Sequence, residues 1–329
     1  MNRLLAVLVL AGASVNAQTI TFANGTANEF QIEFVEIGNP GNVADTNGQP
    51  TPAGAVNYVY NIGKYEISRE MIEKANSSGG LGISLADMSM YEQWGGTGPK
   101  RPATGVSFNE AARFINWLNF VSGNSAAYKF DIQPGQVGYQ SNARPFAWNS
   151  SDQGFDPTNP MRNKNAKFVL PSIDEWYKSA YFDSSNNRYF EWPTGSDVGL
   201  NESQSVAGGW SNPPGGTAPG TAVYYGHNGP ADIDNAGGLS PFGTMAQGGN
   251  VFEWQENGMI RGGSWSSFYF YGGWLALSSN EIYDPTSQQG LDTETNEIGF
   301  RIAMVPEPSS LSLLLAGGAV LIAGRRRKA

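Results

Sequence analysis

Strand-like patterns of apolar residues occupy two regions in the first part of the chain. The runs ITF and FQIEFVEI lie between Thr19 and Ile37, and VNYVYNIGKYEI follows from Val56 to Ile67. Both regions are rich in β-branched and aromatic residues, which is typical of strands. They predict a small set of strands before the first helix.

Three later segments carry helix signals. Ser68 is placed to cap a short helix that continues to about Ala75. In VSFNEAARFINWLN, Ser107 and Glu110 form an S-x-x-E capping box. The apolar positions that follow share one helical face: Ala111, Phe114, Ile115 and Leu118.

A second capping box lies in FVLPSIDEWYKSAYF, where Ser172 precedes Glu175 by three residues. Trp176 and Ala180 are expected to face the interior of the protein. Asp174 and Glu175 are adjacent carboxyl groups, but the capping role accounts for Glu175, and we identify no glycosidase pair. The sequence thus predicts two main helices and a shorter one.

Beyond Tyr181 the pattern changes to loops rich in glycine and proline, such as GGWSNPPGGTAPG. The whole chain of 329 residues has 42 glycines, 19 prolines and 9 tryptophans, and 40% of its residues are hydrophobic. That composition is sufficient for a folded core with much irregular structure. We expect one globular domain over residues 18–304.

The two ends of the chain resemble targeting segments. Residues 1–17 combine Arg3, an apolar run and small residues at Val15 and Ala17, which predicts a secretory signal peptide. Residues 305–329 begin with VPEP, continue through an apolar run and close with RRRK. This order resembles the PEP-CTERM signal, which implies a short, transient transmembrane anchor processed by an exosortase and an exported, cell-surface or extracellular protein.

The net charge of the exported part of the chain limits the classes of partner that it is expected to bind. Without residues 1–17 and 309–329 it has 15 basic and 29 acidic residues, a net charge of −14. Because a polyanion would be repelled by this charge, we expect no nucleic-acid partner. The remaining candidates are an extracellular polysaccharide or a peptide.

The supply of metal-binding and nucleophilic side chains is small. The chain has no cysteine and a single histidine, His227. Copper favours soft thiolate ligands, and zinc sites draw on Cys and His. Iron sites built from imidazole ligands need several histidines. We therefore expect neither copper nor iron, and we expect His227 to be a solvated loop residue.

Six segments in order resemble the sulfatase-modifying-factor family of formylglycine-generating enzymes and their relatives. They are GKYEIS, RPATGVSFNEAARFINWLN, FVLPSIDEWYKSAYF, SPFGTMAQGGNVFEW, IRGGSW and EIGFRIA. The resemblance implies an α+β, loop-rich fold related to C-type lectins, with two main helices packed on small antiparallel sheets. It also implies a site after GGSW, where two cysteines of the enzymes bind copper.

This chain departs from the family at that site. Ser267 matches the first cysteine and Gly272 the second, so the resemblance predicts no catalytic residue here. The expected pocket comprises Ser264, Trp265, Ser267, Phe268, Tyr271 and Trp274. These aromatic residues either pack in the core or form a surface that binds sugar or peptide.

The resemblance also implies calcium, which binds carboxylate, amide and backbone oxygens. One site matches the backbone oxygens of Gly249 and Val251 with the carboxylate of Glu253, although Ala246 replaces a usual oxygen ligand. The other matches Asn201 and Glu202, with Asp232 or Asp234 as candidate completing ligands: both remain hypotheses.

The sequence favours a noncatalytic, lectin-like binding or matrix-associated module of the family. The alternative is a divergent oxidoreductase of the formylglycine-generating type that acts on protein substrates. A scaffold without its cysteines favours the first, and retention of the whole site segment keeps the second open.

Overall fold

Short strands and three α-helices are the main regular elements in the part of the chain that the structure describes. The computed structural model describes residues 17–94, 96–197, 215–224, 229–267 and 290–306. The helices are α1 (Arg69–Gly79), α2 (Phe108–Val121) and α3 (Ile173–Tyr181). The strands are β1 (Ala17–Phe22), β2 (Phe30–Ile37), β3 (Tyr60–Gly63), β4 (Phe168–Val169), β5 (Phe182–Asp183), β6 (Arg188–Tyr189), β7 (Phe252–Trp254), β8 (Ile260–Arg261), β9 (Ile298–Gly299) and β10 (Ala303–Met304).

The largest sheet has five strands in the order β1-β2-β3-β10-β4, all paired antiparallel. From Phe30 to Phe34 of β2, the apolar side chains are buried while Gln31 is exposed. This alternation follows from the two-residue period of a strand with one face on the core. The register pairs Phe22 with Phe30, and their rings stack 5.6 Å apart.

Two smaller sheets are also formed by the described residues. β5 pairs with β6, and the second sheet has the order β8-β7-β9. β7 runs antiparallel to β8 but parallel to β9, with Phe252 opposite Ile298. The α+β class is confirmed, and this parallel pair is the departure from the all-antiparallel expectation.

The three predicted helix starts are confirmed. Ser68 accepts a hydrogen bond from the Met71 N–H, and both capping boxes are formed. α1 extends four residues beyond the predicted end at Ala75. It stops where Gly80 adopts φ 59° and ψ 44°, a left-handed conformation that glycine enters without steric cost.

Helix α2 is buried on nearly every side, which differs from the single apolar face expected from its sequence. Asn116 and Asn119 are fully buried although polar. Each amide replaces water with backbone partners: Asn116 bonds both the N–H and the C=O of Tyr128, and Asn119 does the same with Phe168. The helix therefore lies at the centre of the core, fixed by buried polar bonds as well as apolar contacts.

The two targeting segments lie mostly outside the described ranges. Residues 1–16 and 307–329 are among those the structure does not describe. Within the described ranges, no helix has the length and apolar character needed to cross a membrane.

Candidate functional site

The segment that follows β8 is held in place by glycines. Gly262 and Gly263 have φ of 106° and 77°, and a side chain at Gly262 would approach the carbonyl oxygen of Gln247 to 3.0 Å. Gly249 lies opposite, with φ 101°, and donates its N–H to the Gly262 carbonyl at 2.7 Å. A Cβ at Gly249 would lie 2.3 Å from the Val223 oxygen, so only glycine fits.

Ser264, Ser267 and Glu297 form a hydrogen-bonded chain that we call the serine–glutamate chain. The Ser264 hydroxyl donates to the Glu297 carboxylate at 2.6 Å and lies 3.0 Å from the Ser267 hydroxyl. Ser267 also accepts the Ser264 N–H at 3.0 Å. Because the single hydroxyl proton of Ser264 is donated to Glu297, the Ser267 hydroxyl donates to Ser264, and the chain runs from Ser267 to Glu297.

Two of these residues are largely enclosed. Ser264 is fully buried, and 9% of the Ser267 surface is exposed. Ser267 therefore reaches the surface only marginally. The hydroxyl and carboxylate groups of the serine–glutamate chain are therefore already hydrogen-bonded to one another.

Trp265 packs into the interior rather than presenting a face to ligand. Its ring meets Tyr91 edge-on at 5.2 Å, and its indole N–H donates to the Asn296 carbonyl at 3.2 Å. Only 5% of its surface is exposed. Trp265 is therefore a core residue. Trp254 is a core residue as well, since it is fully buried.

The other predicted pocket residues, Phe268, Tyr271 and Trp274, lie outside the described residues, as do Gly272 and His227. Those predictions stay predictions. The described part of the predicted site is thus Ser264, Trp265 and Ser267.

Glu253, predicted to bind calcium, is instead the acceptor in a buried ion pair. Its Oε2 accepts hydrogen bonds from Arg301 Nε and Trp176 Nε1, each at 2.6 Å, and its Oε1 lies 2.5 Å from Arg301 Nη2. Neither side chain of the ion pair is exposed. We call Glu253, Arg301 and Trp176, with the neighbouring Glu66 and Asn250, the Arg301 cluster.

Arg301 connects the five-stranded sheet to the three-stranded sheet of β7, β8 and β9. Its Nη1 donates to the carbonyls of Gly63 and Lys64 at the end of β3, and its Nη2 donates to the Met245 carbonyl at 2.7 Å. With the two bonds to Glu253, all nitrogen atoms of the guanidinium are used. Arg301 therefore links β7 and β3 to the loop that contains Met245.

A calcium ion at Glu253 does not fit this arrangement. Both carboxylate oxygens already accept bonds from cationic or indole donors, and the side chain is enclosed. Within the described ranges, no three His, Cys, Asp or Glu side chains are grouped to hold a metal ion. Gly249 and Val251 lie beside Glu253 in sequence, but the carboxylate expected to complete their site is committed elsewhere.

The second calcium prediction is only partly described. Asn201 and Glu202 lie outside the described residues. The candidate completing ligands are placed: Asp232 pairs with Arg101 at 3.3 Å, and Asp234 pairs with Lys100 at 2.6 Å. Calcium at Asn201 and Glu202 stays a prediction.

Glu66 is a second buried carboxyl group near the same arginine. Its Oε2 accepts a hydrogen bond from Asn250 at 2.6 Å, while its Oε1 is buried without a partner. Burial, together with repulsion from Glu253, raises the pKa of Glu66 well above its ordinary value, and Arg301 offsets this in part. Glu66 is therefore expected to keep its proton where an exposed glutamate would lose it.

Sequence reasoning missed a buried triad around Arg162. Glu175 accepts two hydrogen bonds from Arg162 at 3.0 Å, besides its capping bond to the Ser172 N–H. Arg162 Nε donates to Glu256 at 2.5 Å. Burial raises the pKa of Glu175, but the neighbouring Arg162 and its hydrogen bonds outweigh burial and hold it below the ordinary value.

Arg261, the first residue of the RGGSW motif, is also structural. Its guanidinium lies over three aromatic rings, at 5.8 Å from Trp176, 5.0 Å from Tyr177 and 5.4 Å from Tyr181. It is 2% exposed and also donates to the Gln49 carbonyl. Cation–π contacts of this kind anchor the start of the motif to α3.

Two grooves on the described surface are lined by residues other than those of the predicted site. One, of about 310 Å³, is formed by residues 43–47 and 187–191. The other, of about 430 Å³, lies at the C-terminal end of α2. We call it the Phe120 groove, after the phenylalanine that is 53% exposed at its edge.

Comparisons with known proteins agree with the fold. The FGE-sulfatase model, described as a sulfatase-modifying factor enzyme 1-like domain, matches residues 19–305. The model of the PEP-CTERM protein-sorting motif matches residues 305–328. A search of curated protein sequences gives no match.

Several solved structures are similar to this chain. Treponema denticola variable protein 1 has a TM-score of 0.51 at 18% identity, with 88% of this chain and 99% of that protein covered. CarF gives 0.48 at 16%, covering 84% and 98%, and PvdO from Pseudomonas aeruginosa gives 0.45 at 16%, covering 84% and 95%. At such identities the similarity concerns the fold alone.

The predicted fold, of the formylglycine-generating-enzyme type, is confirmed. The sorting motif implies export, a membrane-associated sorting signal and processing by an exosortase. By the extent of the family match, the chain belongs to the FGE-sulfatase family, and it carries a PEP-CTERM sorting motif.

Proposed function

We propose that this chain is a noncatalytic member of its family, a lectin-like binding or matrix-associated module delivered to the cell surface or the extracellular space. One observation carries the proposal. Ser267, which the resemblance matches to the first copper-binding cysteine of the enzymes, is bonded to Ser264 and through it to Glu297. A self-satisfied set of hydroxyl and carboxylate groups is a poor substitute for soft thiolate ligands.

The roles of the motif residues support the same proposal. Glu253, Arg261 and Arg301 all belong to segments that resemble the family, and all three are buried in ion pairs or cation–π contacts. Their chemistry is used within the protein. The structural role of these residues is sufficient to explain why the chain contains the motifs, and no catalytic activity is needed to explain them.

The oxidoreductase alternative gains no specific observation. It would require a redox group in the site, and the described side chains at Ser264, Ser267 and Glu297 supply only oxygen atoms. The sequence as a whole has no cysteine. We therefore carry one proposed function forward.

The proposal is tested by an oxidation assay on the full-length protein. A peptide with a sulfatase-type cysteine is incubated with protein, copper(I) and oxygen, and mass spectrometry follows conversion of the thiol to an aldehyde. We expect no conversion above a matched reaction without protein. Protein-dependent formation of the aldehyde would overturn the noncatalytic proposal.

Calcium at Asn201 and Glu202 is part of the proposal and needs its own measurement. Bound calcium stabilises the folded state by mass action, so a chelator would lower the thermal midpoint of unfolding. Metal analysis of the purified protein should show no stoichiometric copper or iron. An unchanged midpoint with chelator would remove calcium from the account.

A further inference from the structure

The Phe120 groove combines aromatic faces with polar side chains. Helix α2 ends at its rim, and the loops that follow supply the floor and the far wall. The residues that define it include Phe120, Asn124, Lys129, Gln133, Pro134 and Trp148. Its volume of about 430 Å³ is within the range of small-molecule sites.

The aromatic rings are fixed before any ligand arrives. The Phe120 ring lies against the backbone of Gly135, where an added Cβ would meet the ring at 2.7 Å. Gly135 has φ 84°, so a turn that only glycine enters easily makes room for the ring. Trp148 donates its indole N–H to the Ala127 carbonyl at 3.1 Å, which sets the orientation of its ring.

A buried acceptor beside these rings has no partner. The Gln133 amide donates to the Phe130 carbonyl at 3.1 Å, but its Oε1 is buried and accepts no hydrogen bond. Leaving such an atom unpaired is unfavourable, and Gln133 lines the groove, so a rotation of its amide that turns this oxygen into the groove would give it a ligand donor. A hydroxyl group would satisfy it.

The groove is electrically neutral. Lys129 is the charged residue among the described residues that line it, and its Nζ lies 2.5 Å from Asp152. An acidic ligand would have to compete with that carboxylate in a protein of net negative charge. The lining therefore favours an uncharged ligand.

We propose that the Phe120 groove binds a neutral polysaccharide, with a sugar ring stacked on Phe120 or Trp148 and a sugar hydroxyl donating to Gln133. The C–H groups of a sugar ring carry partial positive charge and match the negative face of an aromatic ring. An extended peptide would gain most from pairing with a strand edge. This groove is built from a helix end and loops.

This inference rests on the proposed binding function and gives it a location. Affinity electrophoresis of the full-length protein tests it, in native gels that contain laminarin, galactomannan or alginate. We expect retardation by at least one of the two neutral polysaccharides. Loss of one stacking ring in Phe120→Ser should weaken that retardation by about tenfold.

Two further variants make the result specific. Phe120→Tyr keeps the ring and should bind as the parent does. Val137→Ser changes a fully exposed apolar residue in the following loop and should also leave binding unchanged.

Three results would overturn the groove proposal: retardation by alginate alone, no retardation by any neutral polysaccharide, or equal retardation of Phe120→Ser and parent. In the third case the protein would still bind glycan, so the proposed binding function would survive while the groove would not. Capture of a peptide in place of polysaccharide would likewise exclude it.

Discussion

The Arg301 cluster and the Phe120 groove use similar kinds of side chain in opposite ways. In the cluster, Glu253 and Arg301 lie in segments that resemble the family, are fully buried and bond to one another. In the groove, Phe120 is half exposed and Gln133 keeps an unpartnered oxygen. The comparison teaches that the recognisable motifs hold this fold together, while a surface lined almost entirely by residues outside those motifs has the features of a binding site.

The largest effect is expected when the cluster loses one charge. Glu253→Gln leaves the Arg301 guanidinium buried without its counter-ion, which should lower the free energy of unfolding by about 3–5 kcal/mol. Urea denaturation monitored by tryptophan fluorescence measures this. Phe120→Ser is the comparison variant, because about half of the ring is exposed and its loss should cost only about 1 kcal/mol. Equal losses in the two variants would remove the distinction between the regions.

A smaller effect is expected in the serine–glutamate chain. Ser267→Ala removes the acceptor of the buried Ser264 N–H, which should cost about 1–2 kcal/mol of unfolding free energy. The same denaturation experiment applies, with Ser266→Ala, a partly exposed neighbour, as control. If Ser267→Ala were as stable as the parent, the serine would have no structural role, and its part in the account would need another basis.

The last effect concerns Glu66; it depends on pH and has the opposite sign. Because its pKa is raised in the folded state, the folded protein retains a proton above about pH 4.3, where the unfolded chain has lost it. Its contribution to stability therefore falls as the pH rises above that value. Glu66→Gln removes this titration and keeps an oxygen acceptor for Asn250.

We expect the difference in unfolding free energy between Glu66→Gln and the parent to grow in favour of the variant from pH 4.5 to pH 7. Denaturation at several pH values measures it, and all other titrating groups are common to the two proteins. Parallel stability profiles would show that Glu66 is not held protonated by the fold.

Local signals in the sequence predicted local structure well. Ser68, Ser107 and Ser172 begin helices, because a cap and its box depend on residues three positions apart. The spacing of apolar residues in α2 predicted which apolar side chains are buried, but it did not predict the burial of Asn116 and Asn119. Their partners, Tyr128 and Phe168, lie in loops and strands that no helical period reveals.

Long-range pairings could not be predicted in the same way. Arg162 lies 94 residues from Glu256, and Glu253 lies 48 residues from Arg301. No spacing rule connects such positions, so Glu253 resembled a calcium ligand until its partner was known. The Phe120 groove was missed for a related reason, since Phe120 and Trp148 come together only when the loop after α2 folds back.

The central claim is that motif residues stabilise the fold while the Phe120 groove binds ligand, and one paired measurement tests it most directly. Unfolding free energy and affinity for a neutral polysaccharide are determined together for Phe120→Ser and Ser267→Ala. The account predicts weaker binding with only a small loss of stability for Phe120→Ser, and lower stability with unchanged binding for Ser267→Ala. Loss of polysaccharide binding in Ser267→Ala, with binding retained in Phe120→Ser, would contradict it.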